Sequence, residues 1–252
     1  MSKHSTKGTV LVTGASSGIG AALARTFASQ GFALVLTARR ESLLKELHEE
    51  LSPLTDVTYI VSDLASEDGV GTLLREIAAL EISVDVLVNN AGIAYSENFD
   101  LLDDAGIQQL ISLNITALST LTLHFVKEMK HRGSGRILNV ASVAAFQPVP
   151  SMAIYAASKA FVLSLTESLS EELRDTGVSV TALCPGLTNT DMVQDLSASN
   201  VPPFMMSRVE DVAREGFDAL MAREVIRIPG VANQAAVTWA KHQPRWLVRG
   251  IG

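Results

Sequence analysis

Two hydrophobic rhythms alternate along this chain. Short runs rich in Val, Leu and Ile, at 9–13, 33–37, 57–61, 84–89, 136–140, 178–184 and 225–228, have the length and β-branched content of strands. Between them, apolar residues recur at helical spacing over 21–30, 40–51, 66–80, 104–132, 155–176 and 209–222. The strand runs are apolar nearly throughout, the pattern of strands covered on both faces. Strand–helix alternation of this kind predicts an α/β fold, a doubly wound parallel sheet of seven strands with right-handed crossovers. No repeat, low-complexity segment or linker interrupts the pattern, so residues 1–252 are expected to form a single domain. Two stretches depart from it. Residues 187–208, with Pro202, Pro203, Phe204, Met205 and Met206, show no strand pattern and read as a long disordered loop or a functional lid. The tail, 229–252, carries Trp239, Lys241, Arg245, Trp246 and Arg249 and no acid.

Composition sharpens this picture only a little. The chain is 47% hydrophobic and 19% charged, apolar enough to need a well-buried sheet. No run approaches the roughly 18 uninterrupted apolar residues of a spanning helix, and the polar opening Met-Ser-Lys-His-Ser-Thr-Lys lacks a signal core. The net charge of −7 argues against nucleic acid as the main partner. The single cysteine, Cys184, excludes an internal disulfide, fits a reducing compartment and reads as packed rather than nucleophilic. A cytoplasmic protein is expected. The five histidines show no metal-ligand spacing, so no metal is expected, and His48, in a charged helix, reads as solvated.

Chemistry first appears at the end of the first strand run. Val10-Leu11-Val12-Thr13-Gly14-Ala15-Ser16-Ser17-Gly18-Ile19-Gly20 closes a strand and opens a helix. Gly14 suits the tight turn, Gly18 admits a pyrophosphate close to the backbone, and Gly20 lets the helix lie against the strand. The helix N-terminus adds free N–H groups and the positive end of its dipole. A dinucleotide is the ligand this implies, held by Gly14, Ser16, Ser17, Gly18, Ile19 and Gly20. An NAD-selecting site commonly has an acid at the end of the second strand; here the residues are Thr37-Ala38-Arg39-Arg40. Arg39 can hold a ribose 2′-phosphate with a charge-assisted fork, and Ser16 can add a hydroxyl, so NADP is the expected cofactor.

Tyr155 and Lys159 are four residues apart and share one helix face. A phenol titrates near 10 in water. A lysine ammonium and the positive oxidised nicotinamide are expected to lower that value, which suits general acid–base catalysis. Ser142, just past a strand end, can hydrogen-bond a substrate oxygen while Tyr155 gives or takes the proton. Thr13 to Gly20, Asn89-Asn90-Ala91-Gly92, Ser142 with Tyr155-Ala156-Ala157-Ser158-Lys159, and Pro185-Gly186 occur in the order and at the spacings of one family. In these residues the chain resembles the short-chain dehydrogenases/reductases, over roughly 8–228, and the resemblance implies a Rossmann-like fold.

The resemblance implies further roles. Asn114 would anchor a water linking Lys159 to solvent, and Lys159 would also hold the nicotinamide ribose. Asp63 and Leu64 match positions that contact the adenine. Asn90, Ala91 and Gly92 match a turn lying along the cofactor, and Pro185, Gly186, Thr188 and Thr190 a segment cupping the carboxamide. The helices 104–132 and 155–176 would pair across a dimer axis, so a homodimer or homotetramer is expected. The tail is expected to make a subunit contact or to cover the pocket, with contact to an anionic membrane surface as the alternative. Phe204, Met205 and Met206 either form a Met-rich lid, which suggests a moderately apolar carbonyl or alcohol substrate, or pack under the loop as ordinary core. An NADP-dependent oxidoreductase interconverting carbonyl and alcohol is the resulting reading. Its rival is a non-catalytic NADP-binding sensor or scaffold of the same fold.

Overall fold

The computed structural model describes residues 6–190 and 206–248. Seven strands form one sheet: β1 (Thr9–Thr13), β2 (Ala33–Ala38), β3 (Val57–Val61), β4 (Val86–Asn89), β5 (Gly135–Val140), β6 (Val178–Leu183) and β7 (Ile226–Arg227). Every adjacent pair is parallel, in the order β3-β2-β1-β4-β5-β6-β7. The strand order reverses between β1 and β4, and a crevice opens at the C-terminal ends of strands at such a switch point.

Among the described residues the α-helices are α1 (Gly18–Ser29), α2 (Glu41–Leu51), α3 (Gly69–Ala79), α4 (Asp104–Ile111), α5 (Leu118–Arg132), α6 (Ala153–Glu172), α7 (Val209–Met221), α8 (Val231–Lys241) and α9 (Arg245–Val248). Side chains alternate across each strand and so feed two cores. On one face, Val10, Val12, Leu34, Leu36, Val86 and Val88 pack against α1, α2 and α7. On the other, Leu11, Val35, Leu87 and Ile137 pack against α3, α5 and α6. Leu23 and Phe27 of α1 are wholly buried. Phe27 meets Phe32 and Phe217 edge-on, with ring centroids 5.5 and 5.1 Å away. Each such burial is worth about 1.5–3 kcal/mol.

Beneath the switch point, a row of polar side chains crosses the second core. Asn89 Nδ2 donates to Thr122 Oγ1 and Asn139 Oδ1, both at 2.9 Å, and Asn139 Nδ2 donates to Thr166 Oγ1 at 2.9 Å. It ties the ends of β4 and β5 to α5 and α6.

Three features differ from the sequence pattern. The predicted helix 104–132 is interrupted by a π-helical turn at Ser112–Ala117 between α4 and α5. The tail, given no element by its periodicity, forms α8 and α9. His48, expected in solvent, sits edge-on against Tyr59 at 5.6 Å, with its Nδ1 buried. The stretch Asp104–Arg132 is long and apolar enough to cross a bilayer by composition alone. Its Leu113, Ala117, Leu121, Phe125 and Met129 are nevertheless committed to the core against the sheet.

Candidate active site

The pocket at the switch point begins where β1 runs into α1. Gly14 has φ +63°, and a Cβ there would lie 2.8 Å from the Ala91 Cα. A Cβ on Gly20 would stand 2.3 Å from the Gly14 carbonyl oxygen, so only glycine lets α1 start this close to the strand. Ser17, the N-cap of α1, makes no side-chain capping bond, and the helix has no acid in its first turn. Its N–H groups and dipole are therefore left facing the pocket, where a diphosphate fits. Asn90 holds the turn from the other side: its Nδ2 donates to the carbonyls of Thr13 at 2.9 Å and Gly14 at 3.1 Å. Thr13 Oγ1 in turn accepts from the amides of Asn90 and Ala91, each at 3.0 Å.

At the end of β2, Ala38, Arg39 and Arg40 all line the pocket. Arg40 spans the gap to the glycine turn. Its Nε and Nη2 donate to Ser16 Oγ at 3.3 and 3.1 Å, and Nη2 donates to Ser17 Oγ at 2.5 Å. Sequence reasoning chose Arg39 and passed over Arg40. The missed signal is that α2 starts at Glu41, which makes Arg40 its extended N-cap. Asp63 and Leu64, past β3, also line the pocket beside Ser62, a residue the sequence reading did not name.

The far end is formed by β4, β5, α6 and the segment after β6. Ser16, Ser17, Gly18, Ile19, Asn90, Ala91, Gly92, Ser142, Tyr155, Lys159, Pro185, Gly186, Thr188 and Thr190 share this one pocket with Gly14 and the second-strand arginines. Two expected residues stand behind its wall. Gly20 packs under Gly14. Asn114, in the π turn, uses its side chain on the fold: Nδ2 donates to the Ile93 carbonyl at 2.9 Å and to Ser158 Oγ at 3.1 Å, and Oδ1 accepts from Ile93 N at 2.9 Å. A Cβ on Gly92 would come within 3.3 Å of Asn114 Oδ1 and 3.5 Å of Lys159 Nζ, so both groups close on that glycine.

Ser142 caps the 3₁₀ turn Val143–Phe146, its Oγ accepting from Ala144 N at 3.1 Å. Lys159 Nζ donates to the Val140 carbonyl at 2.9 Å and lies 5.7 Å from the centre of the Tyr155 ring. Burial pushes the lysine pKa down to about 8, and pushes the thiol of nearby buried Cys184 up to about 12. Burial raises the Tyr155 pKa above the ordinary phenol value, with the Ser142 hydroxyl pulling weakly the other way. Desolvation of the phenolate is the larger of these two effects. Among the described residues, no group of three or more His, Cys, Asp and Glu could hold a metal ion.

The tail reaches this region too: Lys241 Nζ of α8 sits 4.6 Å from the ring centre of Phe146, in the turn after Ser142. The lid residues Pro202, Pro203, Phe204 and Met205, and the tail's Arg249, lie outside the described residues.

Comparison with known proteins bears on the same residues. Residues 8–200 match the family model described as short chain dehydrogenase. Over 187 residues the chain is 41% identical to sulfoacetaldehyde reductase 2 of Chromohalobacter salexigens, covering 72% of this chain and 73% of that protein. Among solved structures, a short-chain dehydrogenase from Sphingobium yanoikuyae in complex with NADPH superposes with a TM-score of 0.83 at 35% identity, covering 93% of each chain. A short-chain dehydrogenase/reductase from Burkholderia phymatum in complex with NAD superposes with a TM-score of 0.81 at 27% identity, covering 92% of each chain.

Proposed function

Because this chain belongs to the short-chain dehydrogenase/reductase family of nicotinamide-linked oxidoreductases, we propose that its working cofactor is NADP(H) and its substrate a ketone or aldehyde reduced to the alcohol. The observation that carries the cofactor choice is the Arg40 guanidinium bonded to Ser16 and Ser17, with Arg39 beside it and Ala38 where an acid would repel a 2′-phosphate. Two guanidinium groups and two hydroxyls offer a phosphate more donors than a ribose hydroxyl can use. Gly14, Gly18, Ile19, Asp63, Leu64, Asn90, Ala91, Gly92, Pro185, Gly186, Thr188 and Thr190 complete the cofactor's bed.

The reaction end divides its work among few groups. A bound nicotinamide, held by the segment from Pro185 to Thr190, would supply the hydride and, once oxidised, a positive charge. The Ser142 hydroxyl donates a hydrogen bond to the substrate oxygen. Tyr155 donates its phenolic proton to that oxygen, completing the alcohol. The raised phenol pKa keeps the proton on Tyr155 at neutral pH, as an acid needs. The Lys159 ammonium, fixed by the Val140 carbonyl, stabilises the phenolate left behind. Asn114 positions Ile93 and Ser158 around this centre, and its place in the π turn suits the role of water anchor.

The protein so read is a single cytoplasmic domain acting on a moderately apolar carbonyl. It assembles as a homodimer or homotetramer through α5 and α6, where Leu123 and Phe161 stand exposed. The aldehyde in the name of the Chromohalobacter relative supports a carbonyl substrate. Separate titrations with NADPH and NADH, followed by absorbance loss with a panel of ketones and aldehydes, test the proposal. NADPH is expected to bind about 10–100-fold tighter, as for hydrogen bonds to a charged group, and to lose that advantage in Arg40→Ala. Equal or tighter NADH binding overturns the cofactor assignment, and an inert panel overturns the substrate class.

A further inference from the structure

The tail helix α8 stands directly behind one wall of the pocket. Gly186 lines that pocket, and the nearest atoms a Cβ on it would meet all belong to Asn233 of α8. They lie at 2.5 Å (Nδ2 and Oδ1) and 2.7 Å (Cγ). Such similar distances to all three atoms put the flat face of the amide, not its edge, against the glycine. Gly186 is not among the residues with positive φ, so its backbone alone does not demand glycine. The space taken by Asn233 does, because the amide comes closer than any side chain at 186 would allow.

Asn233 is held in place from several sides. Its Nδ2 donates to the Pro229 carbonyl at 2.8 Å, and Gln234 Nε2 donates to the Ile228 carbonyl at 2.9 Å. Val237 and Ala240 are buried under the helix, and Lys241 at its end sits over Phe146. The segment that Asn233 backs is tied down in turn. The Pro185 carbonyl accepts from Val143 N at 2.9 Å, in the turn that Ser142 caps. The Gly186 carbonyl accepts from Thr188 Oγ1 at 3.0 Å, and Thr188 is itself buried. A shift of Gly186 therefore reaches both Thr188 and the Ser142 turn.

We propose, resting on the NADP(H) reading of this pocket, that Asn233 is a positioning residue for the reaction. It acts through Gly186, fixing the segment from Pro185 to Thr190 as the bed of the nicotinamide. The tail thereby serves the reaction without touching cofactor or substrate. Removing the amide opens a space behind Gly186 into which the segment can relax. Ordering the segment then falls to the ligand, which costs affinity at the nicotinamide end, and the reacting groups lose their fixed geometry. The Arg39–Arg40 end, between β2 and α2, keeps its donors.

NADPH and 2′-phospho-ADP-ribose, which lacks the nicotinamide, separate the two ends of the pocket. Calorimetric titrations of the full chain with each are compared in the wild type, Asn233→Ala and Gln234→Ala. Gln234→Ala removes an anchor of the same helix and leaves the amide on Gly186, so it controls for a loosened tail. Asn233→Ala is expected to raise the NADPH Kd about 3–10-fold and the analogue's Kd by less than about 1.5-fold. Gln234→Ala keeps the ratio of the two constants at its wild-type value. Equal weakening of both ligands in Asn233→Ala, no weakening of NADPH, or the same selective loss in Gln234→Ala contradicts the proposal. NADH and ADP-ribose, run as a second pair, keep the cofactor choice apart. Tighter NADH binding overturns NADP alone, and a selective loss of NADH in Asn233→Ala still upholds the role of Asn233. A wild type that binds none of the four overturns both.

Discussion

At the Arg40 end of the pocket the charged groups are exposed and bonded to hydroxyls. At the Tyr155 end, Lys159 is buried against a backbone carbonyl, and the phenol and thiol near it have their pKa values raised by burial. The first arrangement faces solvent and is screened by salt, which suits recognition of a fixed phosphate charge. The second sets the free energy of moving one proton, which suits chemistry. Binding and turnover should therefore fail separately.

The largest break in this contrast is Tyr155→Phe. Removing the hydroxyl is expected to lower kcat about 10²–10⁴-fold, the usual contribution of a positioned acid, and to leave the NADPH Kd nearly unchanged. Stopped-flow turnover beside a fluorescence titration checks both.

Next in size is the cost of burying Lys159. Its pKa falls from 10.5 to about 8, so below pH 8 the folded protein carries a charge that burial disfavours. That cost, about 3 kcal/mol, is fully present below pH 8 and disappears as the pH rises to 10.5, where the unfolded chain also loses the proton. Lys159→Met lacks this dependence. Urea unfolding of both proteins should show the variant's relative stability shrinking by that amount between pH 7.5 and about 10.5. The same titration acts on rate. Carbonyl reduction at saturating cofactor should fall as the pH rises through about 8, as Lys159 loses its charge, and Lys159→Arg should move that limb upward.

Smaller still is the effect of salt. Raising ionic strength from about 0.01 to 1 M shortens the screening length about tenfold, and should weaken NADPH binding more than NADH binding if the 2′-phosphate engages the exposed arginines as proposed. Titrations at both ionic strengths measure the difference.

The same contrast explains what was legible in the sequence. Gly14 and Gly20 announce themselves because their backbone needs are local, and the apolar strand runs give both cores through the two-residue alternation. Tyr155, Lys159 and Ser142 meet because helix spacing and strand ends place them there. The strand order β3-β2-β1-β4 rests on long-range pairing that no local pattern encodes. Choosing between Arg39 and Arg40 needs the first residue of α2, and boundaries are the least readable feature of a helix. Spacing reveals the lysine beside Tyr155 and hides the desolvation that raises the phenol pKa in the protein alone. In the tail, Val237 and Ala240 of α8 become buried only by packing against the rest of the protein, so their periodicity is weak.

The most direct test of separable binding and chemistry is kcat at saturating NADPH for Arg40→Ala, measured with its NADPH Kd. A Kd raised about 10–100-fold with kcat within about twofold of wild type is the predicted result. A kcat that collapses with the Kd unchanged would contradict it, and would place Arg40 in the chemistry rather than in recognition.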